Sequence, residues 1–205
     1  MSDPGLRRWD DRYGQDDYLF GEQPNAFLAR QKHRLQARRR ALAIADGEGR
    51  NGVWLAEQGL EVLSVDGSAV AQEKARRLAE RRGVKPTFEL ADLSTWTWPE
   101  AEFDVVAGIF IQFAGPDLRP RIFEGMRRAL RPGGLLLLEG YRREQLAYGT
   151  GGPPTVENLY TEQMLHDAFA DLEILELVAY DAVISEGSAH AGMSALIDLV
   201  ARRAD

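Results

Sequence analysis

The chain has no cysteine, so disulfides, thiolate zinc sites and cysteine nucleophiles are excluded from the outset. Histidine is almost as scarce: His33, His166 and His190 have no ligand spacing relative to one another, and carboxylates alone would suit only hard cations, so no metal site is expected. No apolar run approaches the roughly 18 to 20 residues that span a bilayer, and "LLLLEG" at 135–140 is strand-sized. The opening "MSDPGLRRWDDRYG" has neither an apolar core nor a cleavage site, which predicts a cytoplasmic protein with no membrane partner. Positive charge does not dominate either. The net charge of -7 argues against a nucleic-acid partner, and the basic clusters "RQKHRLQARRR" (30–40) and "RRLAERR" (76–82) read as solvated helix faces.

What is present is a chain of 205 residues, enough for one well-buried domain but too short for a nucleotide domain plus a full-sized substrate domain. One domain over 1–205 is expected, with a helical, aromatic-rich segment at 1–40 ahead of a core at 41–205. From residue 41 the pattern alternates. Strands are predicted at 41–45, 61–65, 87–90, 103–110 and 133–141, with helices over about Asn51–Gln58, Ser68–Arg82 and 116–131 between them. Ser68 reads as an N-cap and Gly83 as a C-terminal stop. Such alternation predicts a parallel sheet with helices on both faces. After the loop "YGTGGPPTVENLY" (148–160) and a helix over Thr161–Phe169, two extended segments at 171–184 and 192–202 flank "SEGSAHAG". So short a connection requires antiparallel pairing.

The first strand runs into Gly47-Glu48-Gly49-Arg50-Asn51-Gly52, a G-x-G-x-x-G loop opening a helix. In an open parallel sheet this loop lies where ligands bind, and its glycines let backbone N–H groups approach an anion. Asp66 ends the second strand, where a carboxylate accepts hydrogen bonds from a ribose diol. To this point a dinucleotide and an adenosine sulfonium fit equally. Asp92, beside Leu93 at the end of the third strand, adds an acceptor for an adenine amino group with an apolar neighbour over the ring. "LRPGGLLLLE" (130–139) and the terminal hairpin follow.

In this order the chain resembles the class I S-adenosylmethionine-dependent methyltransferases, from about residue 41 to its C-terminus. The resemblance implies a Rossmann-like, doubly wound α/β fold: a mostly parallel seven-stranded sheet ending in an antiparallel hairpin, with an N-terminal helical lid. It implies S-adenosylmethionine as cofactor and S-adenosylhomocysteine as product. The glycine loop, Gly47 and Gly49, would hold the methionine end, Asp66 the ribose and Asp92 the adenine, with Ala45, Gly67, Leu93, Ile109 and Tyr13 completing the lining. Two positions depart from the family pattern. Ala43 stands where an acidic residue is common and Ala45 where a glycine is common, leaving Asp46 or Glu48 to supply charge for the methionine ammonium. More narrowly, "WDDRYG", "FGEQPNAFL", "EGYRREQLAYGTGGP" and "EGSAHAG" resemble the bacterial tellurite-resistance-type branch of small methyltransferases.

The expected reaction is methyl transfer to a small-molecule nucleophile such as tellurite, selenite or a thiol. In-line displacement gains from alignment and exclusion of water and needs no dedicated base when the acceptor is already ionised. Trp9, Tyr13 and Phe20 are lid candidates. His190 and Tyr148 are the first candidates for proton removal, should the acceptor require it. Arg50, Arg142 and Arg143 are candidates to steer an oxyanion, while Trp54, Trp96 and Trp98 read as packing residues. Two alternatives remain: an NAD(P)-dependent reductase using the same glycine loop, and a non-catalytic S-adenosylmethionine-binding module. A monomer and a homodimer are equally compatible with the sequence.

Overall fold

Four short apolar segments and one longer one pair side by side in parallel, as the alternation requires. The computed structural model describes residues 4–205, with side chains from residue 7 onward. The strands are β1 (Arg40–Ile44), β2 (Glu61–Asp66), β3 (Thr87–Leu90), β4 (Phe103–Ile109), β5 (Leu130–Tyr141), β6 (Glu173–Ser185) and β7 (Ala191–Arg202). They form one sheet in the order β3-β2-β1-β4-β5-β7-β6. β1 to β5 are parallel, and β7 runs antiparallel to both β5 and β6. The helices are α1 (Pro4–Tyr13), α2 (Ala26–Arg30), α3 (Arg50–Glu57), α4 (Ala69–Arg82), α5 (Arg119–Ala129), α6 (Gln145–Tyr148) and α7 (Glu162–Ala168).

The central strands are buried on both faces, and period-two alternation sorts their side chains into two cores. Leu42, Ile44, Val106, Leu136 and Leu138 face one core with Phe123, Met126 and Phe169. Ala41, Ala43, Val105, Ala107 and Leu137 face the other with Phe27, Leu28 and Leu55. Phe27 and Leu28 of α2 are wholly buried. At about 1.5 to 3 kcal/mol for each side chain, they anchor the N-terminal segment against the sheet.

Local signals set most helix ends. The Ser68 hydroxyl accepts from the Ala71 N–H, and Gly83 closes α4 at φ 70. Likewise Thr161 caps α7. Differences from the sequence reading have local causes. α5 begins at Arg119 rather than 116, because Pro116 and Asp117 are used in the turn before it. β5 begins at Leu130, where Leu130 pairs with Phe103 and a register shift absorbs the Pro-Gly-Gly before Leu135 meets Val105. The cluster at 30–40 is not one solvated helix. It is a 3-10 turn leading into β1, with Arg30 paired to Asp198 and Arg34 to Glu176 across the sheet.

Candidate active site

The carboxyl ends of β1, β2 and β4 and the loop after β3 converge on a cavity of about 620 Å³, within the range that encloses a small ligand. Ala45 leaves β1 at φ 46, a left-handed conformation natural to glycine. A Cβ on Gly47 would lie 2.8 Å from the Tyr13 hydroxyl, so only glycine lets the lid tyrosine close on the loop. Asp66 accepts from the Gly47 N–H at 2.8 Å with one oxygen and from the Ser68 N–H at 2.8 Å with the other. Each oxygen keeps a lone pair for a diol. Burial raises the Asp66 pKa against the pull of these N–H groups. Asp92 accepts from the Ser94 N–H and lines the cavity beside the buried Leu93.

Of the two acids in the glycine loop, only one is available to the cavity. Glu48 is taken up by an ion pair with Lys74 at 2.6 Å, both side chains buried. Asp46 instead lines the cavity, accepting from the Ser64 hydroxyl at 2.7 Å and the Gly52 N–H at 3.1 Å. Burial pushes its pKa up to about 7 despite these bonds. Ala43 points into the core beneath α2 and α3.

The roof is built from both ends of the chain. Asp10 of α1 accepts from Ser68, and the Lys74 ammonium donates to the carbonyls of Tyr13 and Asp17. At the tip of the β6–β7 hairpin, the Ala189 N–H donates to Leu19 O, and Gly187 packs so closely on Leu19 and Gly21 that a side chain there would collide with backbone. A run of aromatic contacts follows: Trp9 on Tyr13, Tyr13 on Phe20, Phe20 on His190, and His190 on Phe110 and Tyr141. Phe110, at φ 55, holds a backbone conformation rare for a bulky residue. Strain of this kind persists only where surrounding packing imposes it.

Three polar atoms in this chamber have no protein partner: Arg50 Nη1, Tyr141 Oη and His190 Nδ1. Arg50 is held by Glu186 through its other nitrogen, at 2.7 Å. Burial first, then the charges of Arg50 and Arg12, lower the His190 pKa to about 3, so the ring is neutral. Tyr141 is shifted upward by burial and stays protonated.

Of the residues expected from the sequence, Ala45, Gly47, Asp66, Gly67, Asp92, Leu93, Ile109, Tyr13 and His190 all line this cavity, as do Trp9, Phe20 and Arg50. Gly49 does not. It sits at φ 85 beneath α4, where a Cβ would come within 2.6 Å of Ala75, so it serves close packing of loop and helix. Tyr148 is also elsewhere, exposed on α6 with its hydroxyl donating to Asp181 at 2.9 Å. Arg142 is occupied by Asp181 and Glu144, and Arg143 is exposed. His33 and His166 are exposed, whereas Trp98 is core. Tyr141, Phe110 and Asn25 were not singled out in the sequence. Tyr141 ends β5 inside "LLLLEGY", where nothing local separates a site residue from a core one.

Residues 41–134 match the model of a methyltransferase domain. Among solved structures, the chain resembles one described by the conversion of a disulfide bond into a thioacetal group during echinomycin biosynthesis (20% identity, 97% of this chain and 92% of the other, TM-score 0.77). It also resembles the N-methyltransferase NodS from Bradyrhizobium japonicum WM9, solved in complex with S-adenosylhomocysteine (16%, 99% and 100%, 0.76). TehB from Haemophilus influenzae is a third (15%, 97% and 67%, 0.71). The seven-stranded sheet is the Rossmann-like methyltransferase fold. On that fold, residues 41–134 carry the match to a methyltransferase domain, and the group against which the site is tested is S-adenosylmethionine.

The residues present fit that group. A glycine cradle lies under Tyr13, Asp66 and Asp92 line the cavity with acceptor oxygens that a ribose diol and an adenine amino group would suit, and Asp46 is a buried carboxylate whose ionised form a cation would stabilise. Among the described residues no cluster of three or more metal-binding side chains occurs, and no helix is long and apolar enough to cross a membrane.

Proposed function

We propose that the enzyme methylates a small soft nucleophile, of the kind represented by tellurite, selenite or a thiol, as a cytoplasmic methyltransferase of the tellurite-resistance type. The observation that carries the reading is the aromatic roof of Phe20, His190 and Phe110 over the cavity, which leaves room for a small acceptor and would shield methyl transfer from water. Residues 1–40 act as the lid of a single domain, with Tyr13 and Phe20 over the site. A nucleic-acid acceptor is disfavoured by the net charge of -7.

Bound S-adenosylmethionine supplies an electrophilic methyl group. Asp66 holds the ribose hydroxyls, Asp92 with Leu93 the adenine, and the Gly47 loop with Ala45, Gly67 and Ile109 shapes the walls. Asp46 takes the place of the missing strand-one acid and pairs with the methionine ammonium. His190 faces the acceptor, and the aromatic rings of Phe20, Phe110 and Tyr141 keep the chamber dry. The test is S-adenosylhomocysteine release against tellurite, selenite, small thiols, a thiopurine and bulk RNA, with calorimetric S-adenosylhomocysteine binding alongside. Turnover with a small acceptor is expected. Turnover only with RNA would overturn the reading.

A further inference from the structure

Arg50, Tyr141 and His190 come from three separate elements, α3, β5 and the β6–β7 tip, and each is more than nine-tenths buried. Each lines the cavity, and each has one polar atom without a partner. The charge of Arg50 acts on both of the other two groups, which places all three around one space. A buried polar group left unpaired costs about 1 to 3 kcal/mol, more when it is charged, so three in one chamber mark a place where a ligand supplies the partners. Glu186 fixes the orientation. It binds Arg50 Nη2 and is itself held by Asn25 Nδ2 at 3.1 Å and the Ala26 N–H at 3.0 Å, leaving Nη1 free.

We propose that the methyl acceptor binds as an anion, ionised before it arrives, with Arg50 and Tyr141 as its hydrogen-bond donors and His190 as the third wall. This rests on the methyltransferase reading and names the charge state of its substrate. The guanidinium has donors only, and the Tyr141 phenol stays protonated, so both offer N–H or O–H to a negative atom. His190, facing Arg50 and Arg12, does not hold a proton near neutral pH and is therefore a poor base for a protonated acceptor. Glu139 and Glu186 also act on Tyr141, but Glu186 is neutralised by Arg50, and Glu139 is tied to Asn25. Asp46, Asp66 and Asp92 belong to the cofactor end, after β1, β2 and β3. A neutral acceptor would become a cation beside Arg12 and the paired Arg50. An anion instead meets the Arg12 charge and the free Arg50 Nη1 donor.

The step balances without a proton. The acceptor's lone pair forms the new bond to the methyl carbon while the carbon–sulfur pair returns to sulfur. One positive and one negative charge disappear together, leaving a methylated acceptor and S-adenosylhomocysteine.

The experiment measures S-adenosylhomocysteine formation from S-adenosylmethionine with tellurite, selenite, hydrosulfide, iodide and thiocyanate, against dimethyl sulfide as the neutral counterpart, from pH 6 to 9. At least one anion is expected to turn over and dimethyl sulfide not. With S-adenosylmethionine saturating at every pH, the acceptor's kcat/KM profile is expected to follow only its own ionisation, and so to be flat for iodide. Arg50→Met is expected to raise KM for that anion at least tenfold while the calorimetric Kd for S-adenosylhomocysteine moves less than threefold. Tyr141→Phe, which removes no internal hydrogen bond, is expected to raise KM severalfold and keeps the test open if the Arg50 variant does not fold. Methylation of dimethyl sulfide alone, or silence on every anion with S-adenosylhomocysteine still bound, overturns the proposal. So does a tenfold loss of S-adenosylhomocysteine affinity in Arg50→Met with KM unchanged, which would assign Arg50 to the cofactor carboxylate. Absence of S-adenosylhomocysteine binding by the native protein is a different result, because it overturns the methyltransferase reading beneath.

Discussion

At the scale of single residues, the site departs from general rules where a ligand must fit. Ala45 adopts φ 46, where an L side chain costs about 1 to 2 kcal/mol. Ala45→Gly is expected to raise stability by about 1 kcal/mol in urea unfolding, since part of the relief is returned as chain entropy. Asp66→Ala should weaken S-adenosylhomocysteine binding by about 1 to 3 kcal/mol in calorimetry, the cost of hydrogen bonds left unmade at a buried site. An unchanged affinity would remove Asp66 from the ribose role. Asp46, whose pKa burial lifts to about 7, must be ionised to pair with an ammonium. Cofactor affinity should therefore rise as pH increases through 7, and Asp46→Asn should flatten that rise and weaken binding about tenfold at pH 8. These three residues differ in legibility. Asp66 was readable because it ends a strand at a fixed distance from a glycine loop, whereas the choice of Asp46 over Glu48 depended on Lys74, twenty-odd residues away and visible only in the fold.

Elements are joined across the sheet by polar clasps as well as by apolar packing. Glu48 at the glycine loop and Lys74 on α4 form a buried pair, and the same ammonium holds the Tyr13 and Asp17 carbonyls of the lid. Lys74→Met strands a buried carboxylate, so unfolding free energy is expected to fall by about 3 to 5 kcal/mol. The double variant Glu48→Gln with Lys74→Met should recover much of that loss in the same urea titration. A single variant as stable as the native protein would show that the pair does not tie lid to core. Helix ends such as Ser68 and Gly83 were legible because caps are local chemistry. The meeting of "FGEQPN" with "EGSAHAG" was not, because nothing local pairs a loop near residue 21 with a hairpin tip near residue 187.

For the molecule as a whole, enclosure of the site has a consequence for stability against pH. His190 titrates at about 3 in the fold and near 6.5 in an unfolded chain. Between those values the unfolded state binds a proton that the folded state refuses. The contribution of His190 is complete above pH 6.5 and falls by about 1.4 kcal/mol per unit as pH drops toward 3. Subtracting the stability profile of His190→Phe from that of the native protein cancels the carboxylates common to both. The difference should show this slope between pH 6 and 4, and a flat difference would mean that water reaches the ring in the closed fold.

Hydrophobic periodicity, strand spacing and the glycine loop are properties of contiguous sequence, and by themselves they determined the alternation of strands and helices, the antiparallel hairpin and the placement of Gly47, Asp66 and Asp92 on one cavity. Those signals are local: a strand buried on both faces must be apolar throughout, and a tight loop near a phosphate or carboxylate must be glycine. Only the tertiary structure decided that Gly49 packs against Ala75 and that Tyr148 lies outside the chamber. It alone decided that Arg50, Tyr141 and His190 share one enclosed space. Their convergence depends on contacts between segments far apart in the chain, and on burial that turns a turn histidine into a neutral wall.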